Sequence, residues 1–231
     1  MTGFKNFITE SSGGNGDIGM KIVRVDSKTF RNTSLPHEEF CTVAIHEDFP
    51  DAIAKNEIWV DSSVSKKELP HIVSGAMARI KHLRKGDSSI RSYKNGLAVD
   101  AKGRHGQKVK KKHYVSLSDP KGKINVFFVS GFAVRSSHKT GFSQGGHGYV
   151  YKWIPKDEIW IEDEEREEVA PILAHEYVEM AMMRDLGIPY EDAHAIASKV
   201  EKHFRERGFN PRDYKRMTDN IGLLVGSPKR P

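Results

Sequence analysis

The chain has 231 residues, 37% of them hydrophobic, a net charge of +6 and a single cysteine. Cys41 alone excludes an internal disulfide framework and any cysteine-built zinc cage. No run approaches the about 18 apolar residues of a membrane span, and the N-terminus lacks the apolar core of a signal peptide, so the expectation is a cytoplasmic protein without a membrane partner.

Residues 1–19, ending in SSGGNGDIG, read as a flexible tail. Short apolar strands follow in KIVRV and FCTVAIH, then EIWV, rich in β-formers. A helix is expected near residues 67–85. The stretch after it, DSSIRSYKNGLAVDAKGR, is a poor helix, so a second helix is expected to be lost or replaced there. Residues 101–120 read as a basic linker, in which Lys108, Lys110, Lys111 and Lys112 are the candidate contacts to nucleic acid.

Beyond the linker the pattern repeats. INVFFVSGFAV and GYVYKWI read as strands, EIWI follows, and a helix is expected near 168–186. Lys55, Ile58, Trp59, Pro70 and Gly86 align without a gap with Lys156, Ile159, Trp160, Pro171 and Gly187, 101 positions on. With one single-residue shift, Phe30 and Phe40 fall on Phe132 and Phe142. The expected fold class is therefore α+β, two related strand–helix units from an internal duplication, at 20–100 and 121–217, with a tail at 218–231. Pro171 fits only the first turn of its helix, and Gly187 suits the residue just past its end. Pro189 opens a further helix to about Arg207, antiparallel to the first across the short GIP connection.

This hairpin carries the chemistry. His175 and Glu179 are four apart and share a helical face, with Glu176 directly after the histidine. The layout is that of an H-E-x-x-H zinc helix with glutamate in place of the second histidine: positions i and i+4 bind the ion, and the i+1 glutamate serves as general base. His194, early in the next helix, supplies a third ligand, nearly level with Glu179. Glu201, seven residues on, orients a ligand histidine or binds the ion itself. Glu191 and His194 form an E-x-x-H pair, but a di-iron bundle needs such motifs from four helices. In the gapless alignment Ser74, Gly75, Ala78 and Tyr93 stand in the first unit where His175, Glu176, Glu179 and His194 stand in the second. That loss of every ligand points to function rather than fold. His147, by contrast, meets His46 and reads as a shared structural residue, with a weaker claim to the site as a partner behind a ligand.

The stretch GGHGYVYKWIPKDEIWIED…LAHEYVEMAMMRDLGIPYEDAHAIASKVE resembles a group of uncharacterised, largely phage- or prophage-associated proteins. It also looks like the helix of a minimal zincin-type metallopeptidase. The resemblance covers about residues 140–205. It implies metal ligation by His175, Glu179 and His194, Glu176 as base, a peptide or protein substrate, and a host-cytoplasm or virion location. Zincins usually carry histidine where this chain has Glu179, so iron or another divalent metal is the alternative to zinc. The competing readings are a nucleic-acid-binding or structural phage protein, with a structural metal or none, and a pseudoenzyme that binds a protein partner.

Overall fold

The computed structural model describes residues 8–13, 20–31, 40–119, 121–138 and 141–207. The chain is mixed α+β and divides into two compact units. Among the described residues no helix is long and apolar enough to cross a membrane.

The first unit runs to Val109 and also takes in Phe132–Ser143. Its sheet has the order β1-β2-β4-β3, with β1 Ile8–Gly13, β2 Lys21–Val25, β3 Val43–Ile45 and β4 Glu57–Asp61. The outer pairs are antiparallel and the central β2/β4 pair is parallel. A short helix, α1 (Ser27–Arg31), follows β2. Central strands must bury both faces, which is why β4 reads Ile-Trp-Val without alternation. Trp59, Val23 and Val25 pack on one side with Phe30, Phe40 and Phe49, and Ile58 and Val60 on the other with Ile72, Ala76 and Ile80 of α2 (Leu69–Arg84).

The second unit repeats the order. Strands β5 Lys111–Asp119, β6 Gly122–Val129, β7 Gly145–His147 and β8 Glu158–Glu162 stand as β5-β6-β8-β7, again with a parallel central pair. A 3-10 segment (Asp163–Glu168) leads into α5 (Val169–Asp185), and α6 (Tyr190–Arg207) returns beside it. Every residue of α5 from Ile172 to Met182 is buried. The sheet residues Ile124, Val126, Phe128, Ile159 and Ile161 and the α6 residues Ala193, Ala197 and Phe204 share its core. Gly187, at φ 64°, ends the α5 side of the hairpin, as the sequence pattern requires.

Several expectations are corrected. The weak sequence after α2 is a full helix, α3 (Ser89–Asp100), capped by Ser88, whose hydroxyl accepts from the Arg91 backbone N–H. Its Gly96, costly to helix propensity, is there for packing: a Cβ would stand 2.8 Å from the carbonyl oxygen of Gly75 on α2. The supposed linker contains β5, and the supposed flexible tail contains β1. Both are edge strands, where lysines and small polar residues are at home, so apolar alternation does not reveal them. Tail residues 1–7 and 14–19 lie outside the described residues, as do 208–231. The strand expected over INVFFVSGFAV stops at Val129; Gly131–His138 is a helix, α4, and most of it groups with the first unit. The division of the chain therefore does not follow the two sequence halves.

GYVYKWI is not a strand either. The strand lies just upstream at Gly145–His147, and the chain then turns back so tightly that a Cβ on Gly148 would meet the carbonyl oxygens of Ile154 and Pro155 at 2.5 and 2.7 Å. Backbone atoms cannot give way as side-chain tips do. Gly148→Ala is expected to cost about 1–3 kcal/mol, the range of overpacking, measured by chemical denaturation; a variant as stable as the parent would contradict this turn.

Candidate metal centre

Three elements of the second unit build the site. Helix α5 supplies His175, Glu176 and Glu179, α6 supplies His194 and Glu201, and the edge strand β7 supplies His147. All but His194 are buried, and the His194 side chain is 36% exposed. One approach from solvent therefore lies on the α6 side, where the half-exposed ring of Tyr190 stacks on His194 at 5.3 Å.

Glu179 sits at the centre. Its Oε2 lies 2.8 Å from His194 Nδ1 and 3.6 Å from His175 Nε2, and those two nitrogens are 3.1 Å apart. A tetrahedral ion with ligands at about 2.0–2.1 Å needs donor atoms roughly 3.3–3.4 Å apart. The three distances bracket that edge length, so these groups outline one face of such a shell and could hold a metal ion. The other donor positions are tied down. His175 Nδ1 lies 2.8 Å from Glu201 Oε2, which directs Nε2 into the site in the carboxylate–histidine arrangement common at metal centres. Glu201 is in turn held by Arg205, which also reaches Glu168 at 2.6 Å.

The electrostatics follow from this crowding. Burial alone would lower the His175 pKa, but the hydrogen bonds to Glu179 and Glu201 and the charges of Glu176 and Glu201 raise it well above 6.5. Burial pushes Glu201 up, yet His175 and Arg205 outweigh it and hold the carboxyl well below the usual carboxylate range. Glu179 behaves alike: three histidines overcome burial and lower its pKa. Glu168, Glu176, Glu179 and Glu201 are all buried, and Arg205 pairs with Glu168 and Glu201. A divalent cation beside Glu176 and Glu179 would offset buried negative charge, which is costly to desolvate.

Glu176 points to the β7 side. A Cβ on Gly145 would meet its Oε1 at 3.0 Å, so glycine at 145 makes room for this carboxylate. His147, Glu176 and Glu179 also present donor atoms within 4.8 Å of one another.

The structure brings the expected ligands His175, Glu179 and His194 together, with Glu176 beside them and Glu201 on His175. The doubt over His147 is corrected. It is fully buried and its Nε2 lies 3.0 Å from Glu179 Oε1. Sheet register shows why the gapless alignment misled: His147 pairs with Ile159, and in the first unit Ile45, not His46, pairs with Ile58. His46 instead places Nδ1 2.6 Å from the Ile53 carbonyl oxygen, a local turn contact. The helices slip by one residue as well. Gly75 faces Asp100 of α3 as His175 faces Glu201 of α6. Arg79 lies over Tyr93 as Glu179 meets His194. By position, His175, Glu176, Glu179 and His194 therefore correspond to Gly75, Ala76, Arg79 and Tyr93 of the first unit, none of which could bind an ion in the same way. What the units share is the framework: Arg104 with Glu68 and Asp100 repeats Arg205 with Glu168 and Glu201. Sequence reading missed Arg205 and Glu168; the four-residue spacing of Glu201 and Arg205 was the available signal.

The basic run is less free than its composition implies. Lys111 is paired with Glu158 at 2.7 Å and lies over the Phe127 ring, while Lys108, Lys110 and Lys112 are exposed. Comparison with protein-family models, with curated proteins and with solved structures finds no match.

Proposed function

We propose that the second unit is a mononuclear metal-dependent hydrolase acting on a peptide bond or a similar carbonyl compound. The observation that carries this reading is the triangle of His175 Nε2, His194 Nδ1 and Glu179 Oε2, sized for one small cation. Two imidazoles and one carboxylate suit zinc first and iron second. A divalent ion held there supplies Lewis acidity and a water acidic enough to react near neutral pH. Glu176 would be the general base, taking a proton from the attacking water and giving it to the leaving nitrogen. Glu201 keeps His175 in the tautomer that offers Nε2. We also read the two units as copies of one ancestral unit, supported by the repeated strand order and the repeated Arg–Glu–acid framework. In this reading only the second copy kept or gained the ligands. The nucleic-acid reading is the weaker one, because Glu158 already offsets the charge of Lys111.

Metal content tests the proposal. The wild type and Glu176→Gln are expected to hold about one ion per chain and His175→Ala none. Glu176→Gln should then lose about 10²–10⁴-fold in hydrolysis, the worth of a general base. A carefully prepared wild type that takes up no zinc or iron on titration would sink the reading.

A further inference from the structure

We propose that His147 is a positioning residue that fixes which oxygen of Glu179 faces the ion, and is not itself a ligand. This rests on the metal reading above. Both ring nitrogens of His147 are engaged. Nδ1 accepts the backbone N–H of Tyr149 at 3.2 Å, and Nε2 lies 3.0 Å from Glu179 Oε1. A neutral imidazole carries one proton, and a nitrogen that accepts an N–H cannot hold it. The proton therefore sits on Nε2, which donates to Glu179 Oε1 and has no lone pair for a cation. The Nε2–Glu179 contact is buried, and the Nδ1 contact that fixes the tautomer is local to the turn after β7.

The consequence falls on Glu179. With Oε1 held by His147, only Oε2 remains for the ion, on the side of His175 and His194. The carboxylate is confined to one-oxygen ligation, and the remaining coordination positions stay open for water and substrate. The same tautomer argues against a second ion among His147, Glu176 and Glu179, although their donor atoms are close enough for one. It leaves Glu176 a base and not a ligand.

Two substitutions separate the contacts, because asparagine presents its amide near the Nδ1 position and glutamine near Nε2. His147→Asn keeps an acceptor for Tyr149 but loses Glu179; His147→Gln keeps a donor to Glu179. The probe is cobalt(II), titrated into the full chain and read by affinity, stoichiometry and visible absorption, whose intensity reports coordination number. Wild type and His147→Gln are expected to bind one ion with closely similar spectra. His147→Asn should bind about 10–100-fold more weakly, the usual effect of losing a partner behind a ligand, with weaker absorption as Glu179 swings to chelate through both oxygens. Three results would overturn the proposal: His147→Asn matching the wild type in affinity and spectrum, His147→Gln losing a nitrogen ligand, or two ions in the wild type. Wild type that binds no cobalt overturns the metal reading itself, which is seen before any variant is made.

Discussion

Glu68→Gln is expected to destabilise the first unit by about 3–5 kcal/mol, the cost of breaking a buried ion pair by removing one partner. Glu68 is 2% exposed and accepts from Arg104 at 2.9 Å and from Arg135 at 2.6 and 3.0 Å. Glutamine fills the same space but leaves two buried guanidinium groups short of negative charge. Asp100 still pairs with Arg104, whereas Arg135 keeps the Phe142 carbonyl oxygen. The pH dependence has a definite sign. Burial raises the Glu68 pKa, but Arg135 and Arg104 outweigh it and hold it below 4.5. A depressed folded-state pKa gives stability that is fully present above the unfolded value and lost as pH falls through the folded one. The wild type should therefore lose this contribution on acidification below about pH 4.5, and Glu68→Gln should be the less acid-sensitive of the two. Urea denaturation followed at Trp59, with Trp153 and Trp160 replaced by phenylalanine, measures both. Equal midpoints at pH 7 would refute the expectation.

On the proposed metal reading, Glu179→Gln should abolish the stabilisation that zinc gives the second unit. An ion present at a thousand times its dissociation constant stabilises the folded state by about 4 kcal/mol. Glutamine offers a neutral oxygen where the site is built around a charged one, and the three histidines lose their common acceptor. Thermal melts with and without added zinc give the answer directly. The wild type should melt higher with zinc, and the variant should melt at one temperature in both conditions. A variant that still gains the full increment would show that Glu179 is a hydrogen-bond acceptor and nothing more.

Much of this centre was legible because its parts are local. Positions 175, 176 and 179 are fixed by helical period, and the Gly-Ile-Pro connection brings the start of α6 back beside α5, so His194 could be placed within a turn. His147 was legible only as a weak candidate partner behind a ligand, for the opposite reason. Its approach to Glu179 depends on the register of a three-residue edge strand, and one slipped residue exchanges Ile45 for His46 as its counterpart. Edge strands β1 and β5 were hidden by the polar residues that suit their exposure. Helix α3 was hidden by Gly96, which helix propensity penalises and helix packing demands. The placement of α4 with the first unit rests on Arg135 meeting Glu68, a contact between residues far apart in sequence with no local pattern to announce it.

The place that Glu179 holds in the second unit belongs to Arg79 in the first. Its guanidinium grips Asp48 through two bonds, at 2.5 and 2.7 Å, and lies over the Tyr93 ring. On the proposed reading one unit borrows a cation from its surroundings, whereas the other carries one in its own Arg79 side chain. Scarcity of metal would then bear on the two unequally. The first unit supplies this charge from its own chain, while on that reading the second would be loosened by whatever competes for ions.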